Sequence, residues 1–221
     1  MTERAQWHLF DSRAALAEAL AAAVATRLAE ALRRQESVLL AVSGGSTPGA
    51  FFEALSRRAI DWGLVSVTLV DERQVPPDSE RSNERLVRHH LLRDKAAAAR
   101  FRRLDPASPP PPPDVVVLGM GTDGHTASIF ADAPQAERLL DPDAPPAVMA
   151  VEALPGREAR LTMTLALLIR ARHVFVHIEG SNKKALLEGW LAGAERPPIA
   201  AVIAHAEPAV EIFWAPSGEL P

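Results

Sequence analysis

The chain has 221 residues, 48% of them hydrophobic and 24% charged, with a formal net charge of -4. This composition is typical of a globular protein and excludes extensive disorder, while the net negative charge provides no basic field for nucleic acid. Cysteine is absent, which excludes disulfides, thiolate nucleophiles and cysteine-ligated metal centres. Any chemistry must therefore come from histidine, carboxylate, lysine, arginine or hydroxyl groups.

The length fits one large α/β domain, and we predict a single domain over residues 1–221. Residues 1–11 mix charged and apolar side chains and lack the apolar core of a signal peptide. No uninterrupted apolar stretch reaches the roughly 20 residues that a membrane-spanning helix needs. We therefore expect a cytoplasmic protein with no membrane or nucleic-acid partner.

The predicted elements begin with a long amphipathic helix. Ser12 is a candidate N-cap, and Leu or Val recurs at every fourth position over residues 16–32, in an alanine-rich segment that ends near Gln35. The apolar run at residues 37–42 predicts a buried strand. Residues 48–58 then predict a second helix with proline in its first turn.

Strand and helix patterns continue to alternate along the chain. Further strands are predicted at residues 65–70, 114–118, 148–151, 173–178, 200–203 and 210–214. Helices are predicted at residues 83–92, 159–171 and 183–191. Such alternation favours a mostly parallel sheet covered by helices on both faces. The run of prolines at residues 109–113 predicts a stiff extended connection on the surface.

A polar, glycine-rich segment with the sequence Ser-Gly-Gly-Ser-Thr-Pro occupies residues 43–48, between a predicted strand and a predicted helix. Backbone N–H groups, hydroxyls and the positive end of the helix dipole meet at such a place, which favours phosphate binding. The segment is neither a Walker loop nor a dinucleotide-binding fingerprint, and a structural turn is the alternative. The candidate phosphate ligands are Ser43, Gly44, Gly45, Ser46 and Thr47.

A second glycine-rich segment with the sequence Gly-Met-Gly-Thr-Asp-Gly-His-Thr-Ala-Ser occupies residues 119–128, after a predicted strand. In open α/β sheets, ligands bind at the carboxyl ends of the strands. Histidine is suited to general base catalysis near neutral pH, so His125 is the candidate base, with Asp123 as its neighbour. The other histidines lack this setting and show no metal-ligand spacing, so no metal site is predicted.

Charged residues follow two other predicted strands. The triplet Asp-Glu-Arg at residues 71–73 comes directly after one of them, so Arg73 is a candidate ligand for phosphate or carboxylate. Glu72 is either a site residue or part of a solvated salt-bridge cluster. The other strand is the one predicted at residues 173–178. Lys183 begins the predicted helix that follows it and is a further candidate phosphate ligand.

Together these segments resemble the 6-phosphogluconolactonase family. The matching pieces, in the family's order, are residues 43–48, 71–73 with 82–83, 119–128, 160–164 and 180–183. Any one piece is weak evidence, but the ordered set spans most of the chain and is highly specific. The resemblance implies a Rossmann-like, three-layer α/β fold, shared with glucosamine-6-phosphate deaminases and ribose-5-phosphate isomerases.

The resemblance also implies an activity, the hydrolysis of 6-phospho-D-glucono-1,5-lactone to 6-phosphogluconate in the oxidative pentose phosphate pathway. His125 corresponds to the family's water-activating base, Arg73 to its site arginine and Lys183 to its lysine. Gly121 and Arg160 lie in matching segments and are expected to contact the substrate. A lactone is already reactive, so no cofactor is expected, and we expect a monomer or weak homodimer.

Two details of this mechanism stay open at the level of sequence. The carboxylate that orients His125 is either Glu72 or Asp123. The group that stabilises the oxyanion is a backbone N–H near Gly44 or Gly121, or the Arg73 side chain.

Two other functions compete with the lactonase. A glucosamine-6-phosphate deaminase-like isomerase shares the fold and the Asp-Gly-His segment, but those relatives typically carry Asp-Glu-Tyr where this chain has Asp-Glu-Arg at residues 71–73. The isomerases also continue differently from the Thr-Ala-Ser-Ile-Phe at residues 126–130. The other rival is a sugar-phosphate sensor without catalysis, and retention of both His125 and Arg73 argues against it.

Overall fold

The computed structural model describes residues 4–193 and 196–217. Its strands, in chain order, are β1 (Ala5–Leu9), β2 (Val38–Val42), β3 (Val65–Leu69), β4 (Asp71–Arg73), β5 (Arg100–Arg102), β6 (Val115–Leu118), β7 (Val148–Val151), β8 (Arg160–Met163), β9 (His173–Glu179) and β10 (Val210–Ala215). Its helices are α1 (Arg13–Leu32), α2 (Gly49–Ser56), α3 (Asn83–His90), α4 (Ala136–Leu139), α5 (Leu165–Leu168), α6 (Ser181–Ala192) and α7 (Pro198–His205).

Seven strands form the main sheet, in the order β1-β10-β9-β6-β2-β3-β5. Every neighbouring pair in this sheet is parallel. All residues of β2 and β6 are buried, as expected for central strands covered on both faces. The mostly parallel α/β fold predicted from the alternating pattern is therefore confirmed.

The helices cover the sheet in two groups. α1 packs on α2, whereas α7 packs on α5 and α6. Within α1, Leu16, Leu20, Val24 and Leu28 are fully buried, so the predicted four-residue spacing does mark the core face of the helix. Ser12 is its N-cap, as predicted, because its side chain accepts a hydrogen bond of 3.2 Å from Ala15 N.

A smaller antiparallel sheet stands beside the main one, in the order β4-β8-β7. The triplet at residues 71–73 is thus not just the end of the preceding strand, because it forms β4 and pairs with β8. The register sets Arg73 directly opposite Arg160. This pairing carries two predicted substrate ligands to one place.

Two predicted elements are wrong. Residues 200–203, predicted as a strand, lie inside α7, because a short apolar run does not distinguish a buried helix from a buried strand and Pro198 starts a helix here. Residues 159–171, predicted as a helix, form β8 followed by the single turn of α5. Pairing of β8 with two other strands overrides the local helical pattern there.

The structure also contains elements that the sequence analysis did not predict. β1 and β5 form the two edges of the main sheet, and both are short strands with mixed polar and apolar residues.

Over residues 4–193 and 196–217, no helix has both the length and the apolar character needed to cross a membrane.

Candidate active site

A cleft of about 250 Å³ opens at the carboxyl ends of β2, β6 and β9, which are neighbours in the main sheet. Its walls come from the loops after these strands and from the small sheet. Ten of the predicted site residues line it: Ser43, Gly44, Gly45, Ser46, Thr47, Arg73, Gly121, His125, Arg160 and Lys183. The fold thus brings together residues that are far apart in the sequence.

Asp123 is a predicted site residue that contacts His125 but does not itself line the cleft. The Asp123 Oδ1 atom is 2.5 Å from His125 Nδ1 and also accepts a hydrogen bond of 3.2 Å from His125 N. Because a carboxylate can only accept, the hydrogen is on Nδ1, which leaves Nε2 as the basic nitrogen. Burial acts to raise the pKa of Asp123, but the hydrogen bonds from His125 outweigh it and hold that pKa below its ordinary value.

The loop that carries His125 depends on two glycines. A Cβ on Gly121 would lie 2.2 Å from the His125 ring and 2.5 Å from Asp123 Oδ1, so only glycine leaves room for this pair. Gly124 has φ +78°, in the left-handed region that favours glycine. Gly121 N also donates a hydrogen bond of 2.9 Å to His125 O, so this N–H is already engaged within the loop.

Glu72 and Asp123 were the two candidates for the carboxylate beside His125, and Asp123 is the one in contact. Glu72 instead accepts hydrogen bonds from Asn83 N at 2.9 Å, Glu84 N at 2.8 Å and Ser82 Oγ at 2.9 Å. These groups belong to the start of α3, where a carboxylate satisfies free N–H groups. Glu72 therefore fixes the position of α3 relative to β4.

Arg73 reaches the cleft from β4 and is held in place by neighbouring groups. Its Nη1 donates to Arg81 O at 2.7 Å and to Asn83 Oδ1 at 3.1 Å. Its Nε lies 3.7 Å from Glu158 Oε2. These contacts orient the guanidinium before any ligand binds, which is the condition for low-cost recognition of an anion.

The segment at residues 43–48 connects β2 to α2 and forms one wall of the cleft. Ser43 Oγ accepts a hydrogen bond of 3.1 Å from Gly119 N and so ties this segment to the His125 loop. A Cβ on Gly44 would lie 2.0 Å from Asn83 Oδ1, the atom that orients Arg73, so a larger residue would displace this contact.

The two neighbouring lysines of α6 have different surroundings. Lys183 lies in the first turn of α6 and lines the cleft. Lys184 instead lies 2.5 Å from Glu188 Oε1, and its ammonium is 5.4 Å and 5.7 Å from the ring centroids of Trp7 and Trp214. Of these two lysines, Lys183 is therefore the one placed to reach a ligand in the cleft.

The cleft also contains residues that the sequence analysis did not select as ligands. Asp71 lies at its base, where Oδ2 accepts hydrogen bonds from Ser128 Oγ at 2.5 Å and from Arg160 Nη1 at 3.5 Å. Burial raises the pKa of Asp71 above its ordinary value, against the opposing effects of Ser128 and Arg160. The charged triplet at residues 71–73 indicated a site at this strand end, but only the fold shows that its first residue, Asp71, is buried under the cleft.

His177 is a second cleft residue that the sequence analysis passed over. It is only 5% exposed, and its Nε2 lies 3.5 Å from Glu179 Oε1. No local signal singles it out, because it stands in the middle of an apolar strand.

Within the described part of the chain, no group of three or more histidine, aspartate or glutamate residues has a geometry that could hold a metal ion.

The doubly covered parallel sheet, with polar loops at its carboxyl edge, defines an α/β protein with a small-molecule site at the usual position for this class. A family model described as glucosamine-6-phosphate isomerases/6-phosphogluconolactonase matches residues 11–214. The chain belongs to this family.

Individual relatives agree with the family match. The chain is 48% identical to a 6-phosphogluconolactonase of Rhizobium meliloti, over 96% of this chain and 99% of the relative. It is 40% identical to a 6-phosphogluconolactonase of Neisseria meningitidis, over 95% and 98% of the two chains. A crystal structure of a 6-phosphogluconolactonase from Shewanella baltica superposes with a TM-score of 0.89 at 36% identity, covering 97% of this chain and 99% of that one.

Proposed function

We propose that the protein hydrolyses 6-phospho-D-glucono-1,5-lactone to 6-phospho-D-gluconate, the second step of the oxidative pentose phosphate pathway. The observation that carries this proposal is the contact of Asp123 with His125, which lines the same cleft as the hydroxyl-rich segment at residues 43–48. The two relatives described above bear the same activity in their names and match nearly the full chain.

His125 is the general base in this proposal. Its Nε2 takes a proton from water while the water oxygen attacks the lactone carbonyl carbon and the carbonyl oxygen becomes an oxyanion. When the tetrahedral intermediate collapses, the bond from this carbon to the ring oxygen breaks and His125 returns the proton to that oxygen. Asp123 holds the imidazole in the required tautomer and stabilises its charged form, as a carboxylate does in hydrolytic triads.

The phosphate is bound by the backbone and hydroxyls of residues 43–47 together with Lys183, all of which line the cleft. The segment precedes α2, so the positive end of the helix dipole adds to the attraction. Holding the phosphate fixes the lactone carbonyl near His125 and converts hydrolysis into an effectively unimolecular reaction.

Arg73 is our proposed oxyanion ligand. The Gly121 N–H already donates to His125 O, which weighs against that candidate. Arg73 lines the cleft and is oriented by Asn83 and by the Arg81 carbonyl. Arg160, opposite Arg73 in the small sheet, provides a second positive charge for the substrate.

The proposal is tested by the rate at which freshly generated 6-phosphogluconolactone disappears with wild-type protein, with His125→Ala and with buffer alone. We expect acceleration by the wild type and loss of most of it in His125→Ala. His90→Ala is the matched control, because His90 also contacts a carboxylate, that of Glu53 at 2.8 Å, and neither of these two residues lines the cleft. Full activity in a folded His125→Ala variant would remove the proposed base.

Absence of acceleration by the wild type would refute the lactonase itself. Turnover of glucosamine 6-phosphate in its place would support the isomerase alternative. Binding of sugar phosphates without turnover of either substrate would support a sensor.

The remaining expectations are part of the same proposal: one domain over residues 1–221, a cytoplasmic location, a monomer or weak homodimer, and hydrolysis without metal or organic cofactor. Sedimentation analysis measures the assembly directly. Loss of lactonase activity on treatment with a chelator, with recovery on adding metal, would contradict the cofactor-free mechanism.

A further inference from the structure

His125 packs against an aromatic ring that lies behind the cleft. Phe130 ends the same loop, is 6% exposed, and has its ring centroid 4.5 Å from the centroid of the imidazole, with an angle of 38° between the planes. Such tilted aromatic pairs are favoured beyond the area that they bury. Among the described residues that line the cleft, His125 is included and Phe130 is not.

Phe130 is in turn contacted by a guanidinium group. The Arg157 Cζ atom lies 4.5 Å from the centroid of the Phe130 ring. Both terminal nitrogens of Arg157 bond to the Asp132 carboxylate, with Nη1 2.8 Å from Oδ1 and Nη2 paired with Oδ2. A bidentate pair of this kind fixes the plane of the guanidinium, so Arg157 is held over the ring.

The backbone around Arg157 is also fixed. Arg157 N donates to Leu154 O at 2.8 Å and Leu154 N donates to Arg157 O at 2.9 Å, which closes a tight turn. Gly156, within this turn, has φ +78°. Arg160, further along the chain, also approaches Phe130, with its Cζ 5.8 Å from the ring centroid.

We propose that Phe130 and Arg157 are positioning residues for His125, forming with it a stack of imidazole, phenyl and guanidinium groups. This inference rests on the proposed function, in which His125 is the base. Asp123 fixes the Nδ1 edge of the imidazole and Phe130 supports the ring itself, so that Nε2 keeps one position in the cleft. Arg157, which is outside the cleft lining of the described residues, holds Phe130 in place through the cation–π contact.

The stack predicts an effect on the chemical step and little effect on binding. Displacing a catalytic group by a fraction of an ångström slows reaction while leaving the substrate contacts intact. We therefore expect Phe130→Leu and Arg157→Met to lower kcat about tenfold, with KM changed by less than about twofold. Arg157→Lys retains the cation and is expected to recover part of the loss.

The chain contains a matched control for the cation–π contact. Arg88 lies 4.8 Å from the Phe101 ring centroid and pairs with the Glu84 carboxylate at 2.9 Å, on α3 and away from the cleft. Arg88→Met removes a similar contact and is expected to keep wild-type kcat. A similar fall in kcat in this control would show that the effect of Arg157→Met is not local to His125, and would overturn the proposal.

Two further measurements separate positioning from general destabilisation. In proton NMR, the His125 ring signals should shift in Arg157→Met, because the ring current of a displaced Phe130 acts on them, and unchanged signals would overturn the proposal. In the double variant His125→Ala, Arg157→Met, the second substitution should cause no further loss of activity. A further loss as large as that of the single substitution would also overturn it.

The remaining outcomes are equally decisive. Wild-type kcat in folded Arg157→Met, or a raised KM with kcat unchanged, would overturn the proposal. If Phe130→Leu fails to fold, Arg157→Met decides, since its side chain is 30% exposed and its removal opens no closed cavity. Activity retained in His125→Ala would refute the proposed base, and the NMR shift would then still report whether the stack holds the ring.

Discussion

Gly121→Ala should disable the active site with little effect on the rest of the fold. The added Cβ would lie 2.2 Å from the His125 Cε1 and Nδ1 atoms, where the shortest ordinary contact is 3.4 Å. The imidazole must therefore retreat from 2.2 Å to 3.4 Å, a shift of about 1.2 Å, and a misplacement of about 1 Å lowers the rate roughly 100-fold. Such a factor corresponds to about 2.7 kcal/mol in the activation free energy.

Stability is expected to change much less than activity in this variant. His125 is only partly buried, with 32% of its side chain exposed, so its ring can swing outward in response to the added methyl group. We expect a loss of about 1 kcal/mol in the free energy of unfolding, at the lower end for overpacked sites. The assay pairs lactonase kinetics with denaturant unfolding of the same preparation.

Gly189→Ala is the control for this substitution. Gly189 stands inside α6, and apart from its chain neighbours and the backbone of its own helix, no atom of the described residues lies within 4 Å of a Cβ built on it. Alanine there should leave kcat unchanged and stabilise the protein by roughly 0.5–1 kcal/mol, because glycine is a poor helix former. Gly121→Ala with kcat close to the wild-type value would refute the steric argument, as would a crystal structure of the variant with the imidazole in its original position.

Three further predictions follow from the site and its surroundings. Asp123→Asn removes the carboxylate beside His125 and is expected to lower kcat at least tenfold, since general base catalysis contributes at least this much. Steady-state kinetics at saturating lactone measure kcat, and an unchanged kcat would contradict the prediction. Lys183→Met should raise KM about 10- to 100-fold, the loss of one charge-assisted hydrogen bond, whereas Lys184→Met should not; equal effects in the two variants would show that Lys183 is not a phosphate ligand. Burial acts to raise the pKa of Glu84, but the hydrogen bonds that Glu84 accepts from Arg103 and Arg88 outweigh burial and lower this pKa. The contribution of Glu84 to stability is therefore complete above its pKa in the unfolded chain and is lost as pH falls through its lower pKa in the folded protein. The excess stability of wild type over Glu84→Gln in urea should therefore shrink below about pH 4, and a difference that grows with acidity would refute this sign.

Much of the site was accessible from sequence because its central parts are local. Asp123 and His125 are two residues apart on one glycine-rich loop, so their pairing needs only that loop. The segment at residues 43–48 is marked by its glycines and hydroxyls between a strand and a helix. In a parallel sheet all strands point the same way, so segments that follow neighbouring strands gather at one edge, and alternation of strands and helices sufficed to predict that edge.

What sequence alone could not determine is non-local. The pairing of β4 with β8 sets Arg73 opposite Arg160, although the two residues are far apart in the chain and residues 159–171 had a helical pattern. Asp71 lies at the base of the cleft only because the small sheet turns it inward. The prediction of a strand at residues 200–203 failed for a similar reason, because these residues lie in a helix that tertiary packing buries. A short apolar run that is buried on all sides has no periodicity that distinguishes a helix from a strand. Local pattern thus determined the catalytic loop and the sheet edge on which it stands, while long-range packing decided which charged side chains face it.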